Sequence, residues 1–166
     1  FVKVKNGRFC NVMEDFEKFY NIGLRFLSYR PRSEKEVRDR LIRKKVDSQI
    51  IEKVVAKLKE QKFINDEDFA RWWIEQRSNF KPRSLRLIKL ELRQKGITDE
   101  IISNFKFLIS NDMERAKKLI EKRIERVRNL SKQEIYQKLG GFLARRGFDW
   151  ETIKQSIDES LFREYT

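Results

Sequence analysis

The segment Arg30-Pro31-Arg32-Ser33 recurs 51 residues later as Lys81-Pro82-Arg83-Ser84, and these two segments contain both prolines of the 166-residue chain. A second group of anchors keeps the same 51-residue interval: Lys44-Lys45-Val46, Lys95-Gly96-Ile97 and Arg146-Gly147-Phe148. A fixed interval of about this length is typical of proteins that stack copies of one supersecondary unit. The sequence therefore predicts three copies of one structural repeat.

The middle helix of each repeat is marked by a cap and an apolar face. Ser33 is followed three residues later by Glu36, which is the pattern of a capping box. Val37 and Leu41 then lie four residues apart, as on one face of a helix. The equivalent apolar pairs are Ile88 with Leu92 in the second repeat and, after a four-residue shift, Ile135 with Leu139 in the third.

A short turn separates this middle helix from the last helix of the repeat. Gly96 and Gly147 suit the left-handed backbone that ends many helices. Lys45 holds the same position in the first repeat, at an expected cost of about 1 kcal/mol relative to glycine. The caps of the last helices follow as Asp47, Thr98 and Asp149. So short a turn predicts two crossed helices, as in a helix-turn-helix unit.

A further helix precedes each pair. The first covers residues 15–29, and the second begins at the caps Asn65 and Asp66, with Phe69 and Trp73 in the core and Trp72 partly exposed. The third begins at Asp112 and is predicted to be the longest, because helical apolar spacing continues to Val127. Trp150, at the start of the last helix, is predicted to anchor packing.

These patterns predict an all-α fold, an elongated array of three tandem three-helix, helix-turn-helix-like repeats. Their predicted limits are residues 15–64, 65–109 and 110–166. Residues 1–14 are predicted to form a β-hairpin or arm, because Asn6-Gly7 lies between short alternating apolar runs.

The charge balance points to a polyanionic partner. Thirty-nine Lys and Arg residues against 26 Asp and Glu residues give a net charge of +13. Such a charge favours nucleic acid, or an acidic protein surface, as the partner. A lysine-rich composition without a polyanionic partner is the alternative.

Several classes of protein are disfavoured. Cys10 is the only cysteine and histidine is absent, which excludes an intramolecular disulfide, histidine-dependent triads and histidine zinc sites. No phosphate-binding loop motif or nucleophile elbow occurs, and the acidic residues 66–68 are better explained as helix caps than as metal ligands. We expect a cytoplasmic protein without catalytic activity, metal or cofactor, and without a membrane-spanning segment.

Basic residues recur where they could line a binding surface. Those of the first repeat are Arg30, Arg32, Arg38, Arg43 and Lys44; those of the second are Lys81, Arg83, Arg86, Lys89, Arg93 and Lys95; those of the third are Arg145 and Arg146. Arginine can bind phosphates or carboxylates through two parallel hydrogen bonds. There are two alternatives to a binding role. The basic residues could lie on solvated helix faces, and those at 44, 95 and 146 could stabilise the helix dipole at a C-terminus.

Four segments in this order resemble the bacterial RecX regulatory proteins, modulators of the RecA recombinase, over roughly residues 20–158. They are the tandem Arg-Pro-Arg-Ser-Glu and Lys-Pro-Arg-Ser segments, Ile64-Asn65-Asp66-Glu67-Asp68-Phe69-Ala70, Leu92-Arg93-Gln94-Lys95-Gly96-Ile97, and Phe142-Leu143-Ala144-Arg145-Arg146-Gly147-Phe148. The third repeat departs from this pattern, with Asn129-Leu130-Ser131 in place of Pro-Arg-Ser.

The resemblance implies a curved helical protein that binds the RecA filament on single-stranded DNA, in the filament's helical groove. It implies inhibition of RecA recombinase, ATPase and co-protease activities, and so modulation of DNA repair and the SOS response. It also implies a monomer that binds single-stranded DNA, and double-stranded DNA more weakly, through the basic residues named above.

Two other functions remain open on the residues alone. A basic helical-repeat protein could bind nucleic acid directly, without a specific protein partner. A helical repeat that binds a peptide is disfavoured by the net charge of +13.

Overall fold

The computed structural model describes residues 12–80, 82–105 and 111–164, and all regular structure within them is helical. The all-α prediction is confirmed. Residues 1–11 of the predicted N-terminal hairpin lie outside the described residues. Its last three residues, 12–14, belong to the first helix instead. The chain divides into two compact units between Phe69 and Ala70.

Three helices per repeat are found within the described residues. Those of the first repeat are α1 (Val12–Ser28), α2 (Glu34–Arg43) and α3 (Ser48–Glu60), and those of the second are α4 (Asp66–Asn79), α5 (Leu85–Gln94) and α6 (Asp99–Asn104). The opening helix of the third repeat is α7 (Asp112–Glu121), and its last helix is α10 (Trp150–Glu164). Its middle helix consists of α8 (Lys132–Ile135) and α9 (Gly141–Ala144), joined without a break by the π-helical stretch Tyr136–Gly140.

The core of the first unit lies where α1 and α2 pack on α3. The apolar pair predicted from four-residue spacing, Val37 and Leu41, is fully buried there, and so are Val54 and Leu58 of α3. Phe26 and its neighbours on α1 cover this core from one side. Burial of one apolar stripe per helix stabilises these short helices, which would be marginal in isolation.

A second core forms in the third repeat, where α10 packs against α7 and the π-helical stretch. Ile135 and Leu139, paired after a four-residue shift, are buried in it. The shift means that the middle helix of the third repeat has four more residues than its equivalents, which is about one helical turn. The π-helical stretch lies within the lengthened segment.

The helix predicted to be longest is shorter than expected. α7 ends at Glu121, and the chain continues through a 3-10 turn at Ile124–Arg126. Ile124 and Val127 are buried nevertheless. A 3-10 turn also returns residues three apart to the same side, so the apolar spacing could not distinguish it from a continued helix.

The left-handed turns occur as predicted. Gly96 and Gly147 each have φ of 85°, and Lys45 has φ of 57°. At Gly147 the constraint is also steric, because an added Cβ would lie 2.6 Å from Ser84 Oγ and 2.9 Å from Leu87 Cβ. The turn of the third repeat therefore packs directly against the start of α5 in the second.

Serine caps begin all three middle helices. Ser33, Ser84 and Ser131 each accept a hydrogen bond from the backbone N–H three residues on. A complete capping box is formed by Ser131 and Glu134, whereas Glu36, predicted for that role in the first repeat, accepts hydrogen bonds from Arg30.

A carboxylate from the next repeat reinforces two of these helix starts. Asp66 Oδ1 accepts from the N–H of Glu34, and Asp112 Oδ1 accepts from the N–H of Leu85, both at 2.8 Å. Asp66 and Asp112 are the first residues of α4 and α7. Burial raises the pKa of both carboxyls. Each opening helix thus also caps the middle helix of the preceding repeat.

The predictions for the aromatic residues are confirmed except for one. Phe69 and Trp73 are buried, and Trp72 is half-buried. Trp150 was predicted to anchor packing, but its side chain is 64% exposed. Its spacing from Ile153 and Ile157, three and seven residues, puts it on the buried face of α10, but as the first residue of that helix it lies beyond the part that is covered.

Two opposite substitutions test the turns. Lys45→Gly removes the strain of a left-handed lysine, so we expect stabilisation by about 1 kcal/mol. Gly147→Ala adds both strain and overlap with Ser84, so we expect destabilisation by about 2–4 kcal/mol. Urea unfolding followed by circular dichroism measures both. Equal effects of the two variants would contradict the packing described at Gly147.

Candidate functional site

Guanidinium groups gather around Phe26 in the first unit. The Arg32 Cζ lies 4.0 Å from the centroid of the Phe26 ring, and the Arg40 Cζ lies 5.6 Å from it. Arg30 forms a two-bond ion pair with Glu36, with N–O distances of 2.9 and 3.1 Å. We call Phe26, Arg30, Arg32, Glu36 and Arg40 the Phe26 cluster.

The Phe26 cluster carries a net positive charge, because three guanidinium groups share one carboxylate. Burial, followed by the charge of Arg30, lowers the pKa of Arg32. The Nε of Arg32 is buried and has no hydrogen-bond partner among the described residues. Beside it opens a pocket of about 480 Å³, whose lining combines the cations Arg30, Arg32 and Lys62 with Asp68 and apolar side chains such as Phe63. The first unit thus presents hydrogen-bond donors suited to an anion.

A buried carboxylate organises the cations of the second repeat. Glu91 is 8% exposed and accepts hydrogen bonds from Trp73 Nε1 at 2.9 Å and from Arg77 Nε at 2.7 Å. Arg83 also forms an ion pair with it. Arg77 and Lys95 lie over the Trp73 ring, at 4.2 and 5.2 Å from its centroid. We call Trp73, Arg77, Arg83 and Glu91 the Glu91 network.

The first and second repeats differ in charge at one equivalent position. Arg40 and Glu91 are 51 residues apart and hold the same place in the repeat. In the first repeat this position adds a cation beside Phe26, whereas in the second it supplies the carboxylate that binds Arg77 and Arg83. Much of the positive charge of the second repeat is therefore used within the protein.

Guanidinium groups also gather around Phe142 in the third repeat. The Cζ atoms of Arg123 and Arg146 lie 3.9 and 3.8 Å from the centroid of the Phe142 ring. Burial, followed by the charges of Arg123, Arg83 and Arg145, lowers the pKa of Arg146. Among the described residues, no carboxylate forms an ion pair with Arg123, Arg145 or Arg146. We call Phe142, Arg123, Arg145 and Arg146 the Phe142 cluster.

A backbone hydrogen bond attaches the Phe142 cluster to the second repeat. The N–H of Ser84 donates to the carbonyl oxygen of Arg146 at 3.0 Å. Ser84 follows Arg83 in the chain, and Arg83 is close enough to Arg146 to lower its pKa. Basic residues from two repeats therefore meet at the start of α5.

The other predicted basic residues are not part of these clusters. Arg38 pairs with Glu34 at 2.7 Å and also with Glu52, and Arg93 pairs with Asp99 at 2.7 Å. Arg43 donates to the carbonyl oxygen of Asp39. Lys44 and Arg86 are exposed, Lys89 is half-buried, and Lys81 lies outside the described residues.

Sequence reasoning missed Arg40, Arg77 and Arg123. The spacing of Arg40 from Glu36, four residues along a helix, was a usable signal for the first. No such signal existed for Arg123, because the 3-10 turn that follows it was predicted to be helix. Within the described residues, no group of three or more acidic or cysteine side chains could hold a metal ion.

Three family models match the chain in order. The model for the first three-helix domain of RecX matches residues 20–58, that for the second matches residues 65–104, and that for the third matches residues 110–157. No helix in the described part of the chain combines the length and hydrophobicity needed to cross a bilayer.

Relatives named Regulatory protein RecX are similar along most of the chain. That of Clostridium tetani is 32% identical over 155 residues, covering 91% of this chain and 71% of the relative. That of Amycolatopsis mediterranei is 32% identical over 154 residues, covering 92% and 87%. That of Bacillus subtilis is 33% identical over 150 residues, and this chain spans 56% of its length. The chain thus spans little more than half of the Bacillus relatives.

Solved structures show the same likeness. The crystal structure of RecX from Lactobacillus salivarius matches with a TM-score of 0.72 and 30% identity, covering 89% of this chain and 97% of that one. A second crystal structure of a regulatory protein RecX matches with a TM-score of 0.71 and 27% identity, covering 89% and 73%.

Substitution of Glu91 tests the network it organises. Glu91→Gln leaves Arg77 and Arg83 without their buried counter-charge, so we expect destabilisation by about 2–3 kcal/mol. This is below the range for a fully buried pair, because the Arg83 side chain is 36% exposed. Asp99→Asn is the matched control: it breaks the exposed pair with Arg93 and should cost at most about 1 kcal/mol. Equal losses in urea unfolding would argue against the network.

Proposed function

Because this chain belongs to the RecX family of regulatory proteins, we propose that it binds the RecA filament formed on single-stranded DNA and inhibits RecA. Bound in the helical groove of the filament, it suppresses the ATPase, strand-exchange and co-protease activities and so modulates DNA repair and the SOS response. It acts as a cytoplasmic monomer, by occupying the filament rather than by catalysing a reaction.

The observation that supports this proposal best is the uncompensated positive charge of the Phe142 cluster. Arg123 and Arg146 stack on Phe142 and are flanked by Arg145, without a carboxylate partner among the described residues. Stacking on a ring orients a guanidinium group and lowers the entropy lost when it binds an anion. A filament on DNA supplies such anions as phosphates and as acidic side chains.

We assign the principal anion contacts to the Phe142 cluster and to Arg32 and Arg40 of the Phe26 cluster, because Arg30 is paired with Glu36. Exposed cations outside them, Lys44 and Arg86 among them, add to the positive potential that attracts the filament. Arg38, Arg83 and Arg93 contribute less, because each forms an ion pair within the chain.

Direct binding of nucleic acid, without a specific protein partner, is the second candidate function. The net charge of +13 favours it, since phosphate contacts supply most of the affinity for nucleic acid in general. It differs from the first candidate in requiring no preference for RecA-coated DNA over naked DNA.

A salt titration separates the two functions. Affinity for naked single-stranded DNA should fall steeply with salt, with log K decreasing by about 0.7 per neutralised phosphate. Affinity for the RecA filament should retain a salt-resistant part that comes from apolar and shape-specific contacts. Fluorescence anisotropy measures both series. Equal affinity for the two partners at every salt concentration would exclude a specific role for RecA.

Charge reversal tests the Phe142 cluster. Arg123→Glu combined with Arg145→Glu replaces two of its cations, so we expect at least about tenfold weaker inhibition of RecA ATPase on single-stranded DNA. Lys132→Glu combined with Lys154→Glu is the matched control, since it changes net charge equally at exposed positions that do not lower the pKa of Arg146. Helix content should be unchanged in both. If both double variants lost inhibition equally, the effect would come from net charge alone and not from the Phe142 cluster.

A further inference from the structure

Two exposed aromatic rings occupy the same position of successive repeats. Tyr29 and Phe80 are 51 residues apart, and their side chains are 71% and 73% exposed. Each is the first residue after the opening helix of its repeat, since α1 ends at Ser28 and α4 ends at Asn79. In the third repeat, after the four-residue shift, the equivalent residue is Val127, which is buried.

Exposure of these rings is not required by the fold. Burial of an aromatic side chain is strongly favourable. Each exposed ring follows a helix whose own aromatic side chains are half-buried or buried, such as Phe26 in α1 and Trp73 in α4. A singly exposed apolar side chain is common and needs no explanation, so it is the recurrence of exposed rings at one repeat position that points to a ligand.

Cations accompany both rings. Tyr29 is followed in the chain by Arg30 and Arg32 of the Phe26 cluster. Near Phe80 in the chain, Arg77 and Arg83 share the single carboxylate of Glu91. Arg30 and Arg83 each form an ion pair within the chain, so the net positive charge near the rings comes from Arg32 and from the second arginine that shares Glu91.

We propose that Tyr29 and Phe80 stack on unpaired bases of single-stranded DNA, while cations near them in the chain contact the neighbouring phosphates. A ring that presents its face to solvent, combined with a cationic surface, is the arrangement by which proteins bind single strands without sequence preference. The proline after each basic residue restricts the backbone beside the ring, which lowers the entropy cost of ordering it.

A protein partner fits these rings less well. Protein docking sites need several adjoining apolar side chains around a buried anchor. Tyr29 stands in the chain between Ser28 and Arg30, and Phe80 stands between Asn79 and Lys81. Polar or charged neighbours in the chain suit a flat base with a charged backbone on either side.

The third repeat lacks such a ring and has instead the uncompensated arginines of the Phe142 cluster. We assign the base contacts to the first two repeats, and the phosphate contacts to the cations near those rings and to the Phe142 cluster. The inference rests on the proposed function in one respect, that single-stranded DNA is a ligand. Its test uses DNA without RecA. Failure of the stacking inference is thereby distinguishable from failure of RecA inhibition.

The test compares two strands that differ only in their bases. Fluorescence anisotropy measures binding of the whole chain to an oligothymidine and to an abasic strand of equal length. We expect tighter binding of oligothymidine, and we expect Tyr29→Leu or Phe80→Leu to weaken it by roughly five- to 150-fold per ring while the abasic strand binds as before. Tyr29→Phe keeps the ring and should retain the affinity.

Two controls complete the test. Trp150→Leu removes a ring that is 64% exposed but lies outside the repeated position, and it should change affinity less than about twofold. Circular dichroism should show the same helix content in all variants. The proposal is overturned if the leucine variants bind oligothymidine like the parent chain, if they lose affinity for both strands equally, or if Trp150→Leu has an equal effect.

Discussion

The N–H groups at the start of a buried helix have no partners within that helix, and at Ser84 this requirement brings several parts of the second unit together. Ser84 Oγ accepts from the N–H of Leu87, Asp112 accepts from that of Leu85, and the N–H of Ser84 itself donates to Arg146. Gly147 fits against the same serine because it has no Cβ. The hydrogen bonds that these N–H groups require thus determine where the second and third repeats meet.

The positions of the cations follow from this junction. Arg83 precedes Ser84 and Arg146 precedes Gly147, so the chain that satisfies the helix start also brings their side chains near each other. Whether a given cation is open to a ligand then depends on its carboxylate partners. Glu91 binds Arg77 and Arg83, whereas the Phe142 cluster has no such partner among the described residues. Proteins seldom desolvate a charge without a partner, so the partly buried Arg146, whose neighbours Arg123 and Arg145 are also cations, is informative about function.

Aromatic residues serve two purposes in this chain. Phe26, Trp73 and Phe142 hold guanidinium groups against their faces, at 4.0, 4.2 and 3.8 Å from the ring centroids. Tyr29 and Phe80, in contrast, are largely exposed to solvent. The first group orients cations for anions, and the second offers surface for flat apolar groups. A partner that combines phosphates with unpaired bases would use both.

Periodicity in the sequence was sufficient to predict the all-α fold, the three repeats, the serine caps and the left-handed turns at Lys45, Gly96 and Gly147, because these depend on local backbone geometry and apolar spacing. The end of α7, the exposure of Trp150 and the roles of Asp66, Asp112 and Glu91 were decided only by tertiary structure. Each depends on which residues of distant segments come into contact, and a helical pattern does not specify that. The sequence listed the basic residues, but packing alone decided which of them are neutralised within the protein.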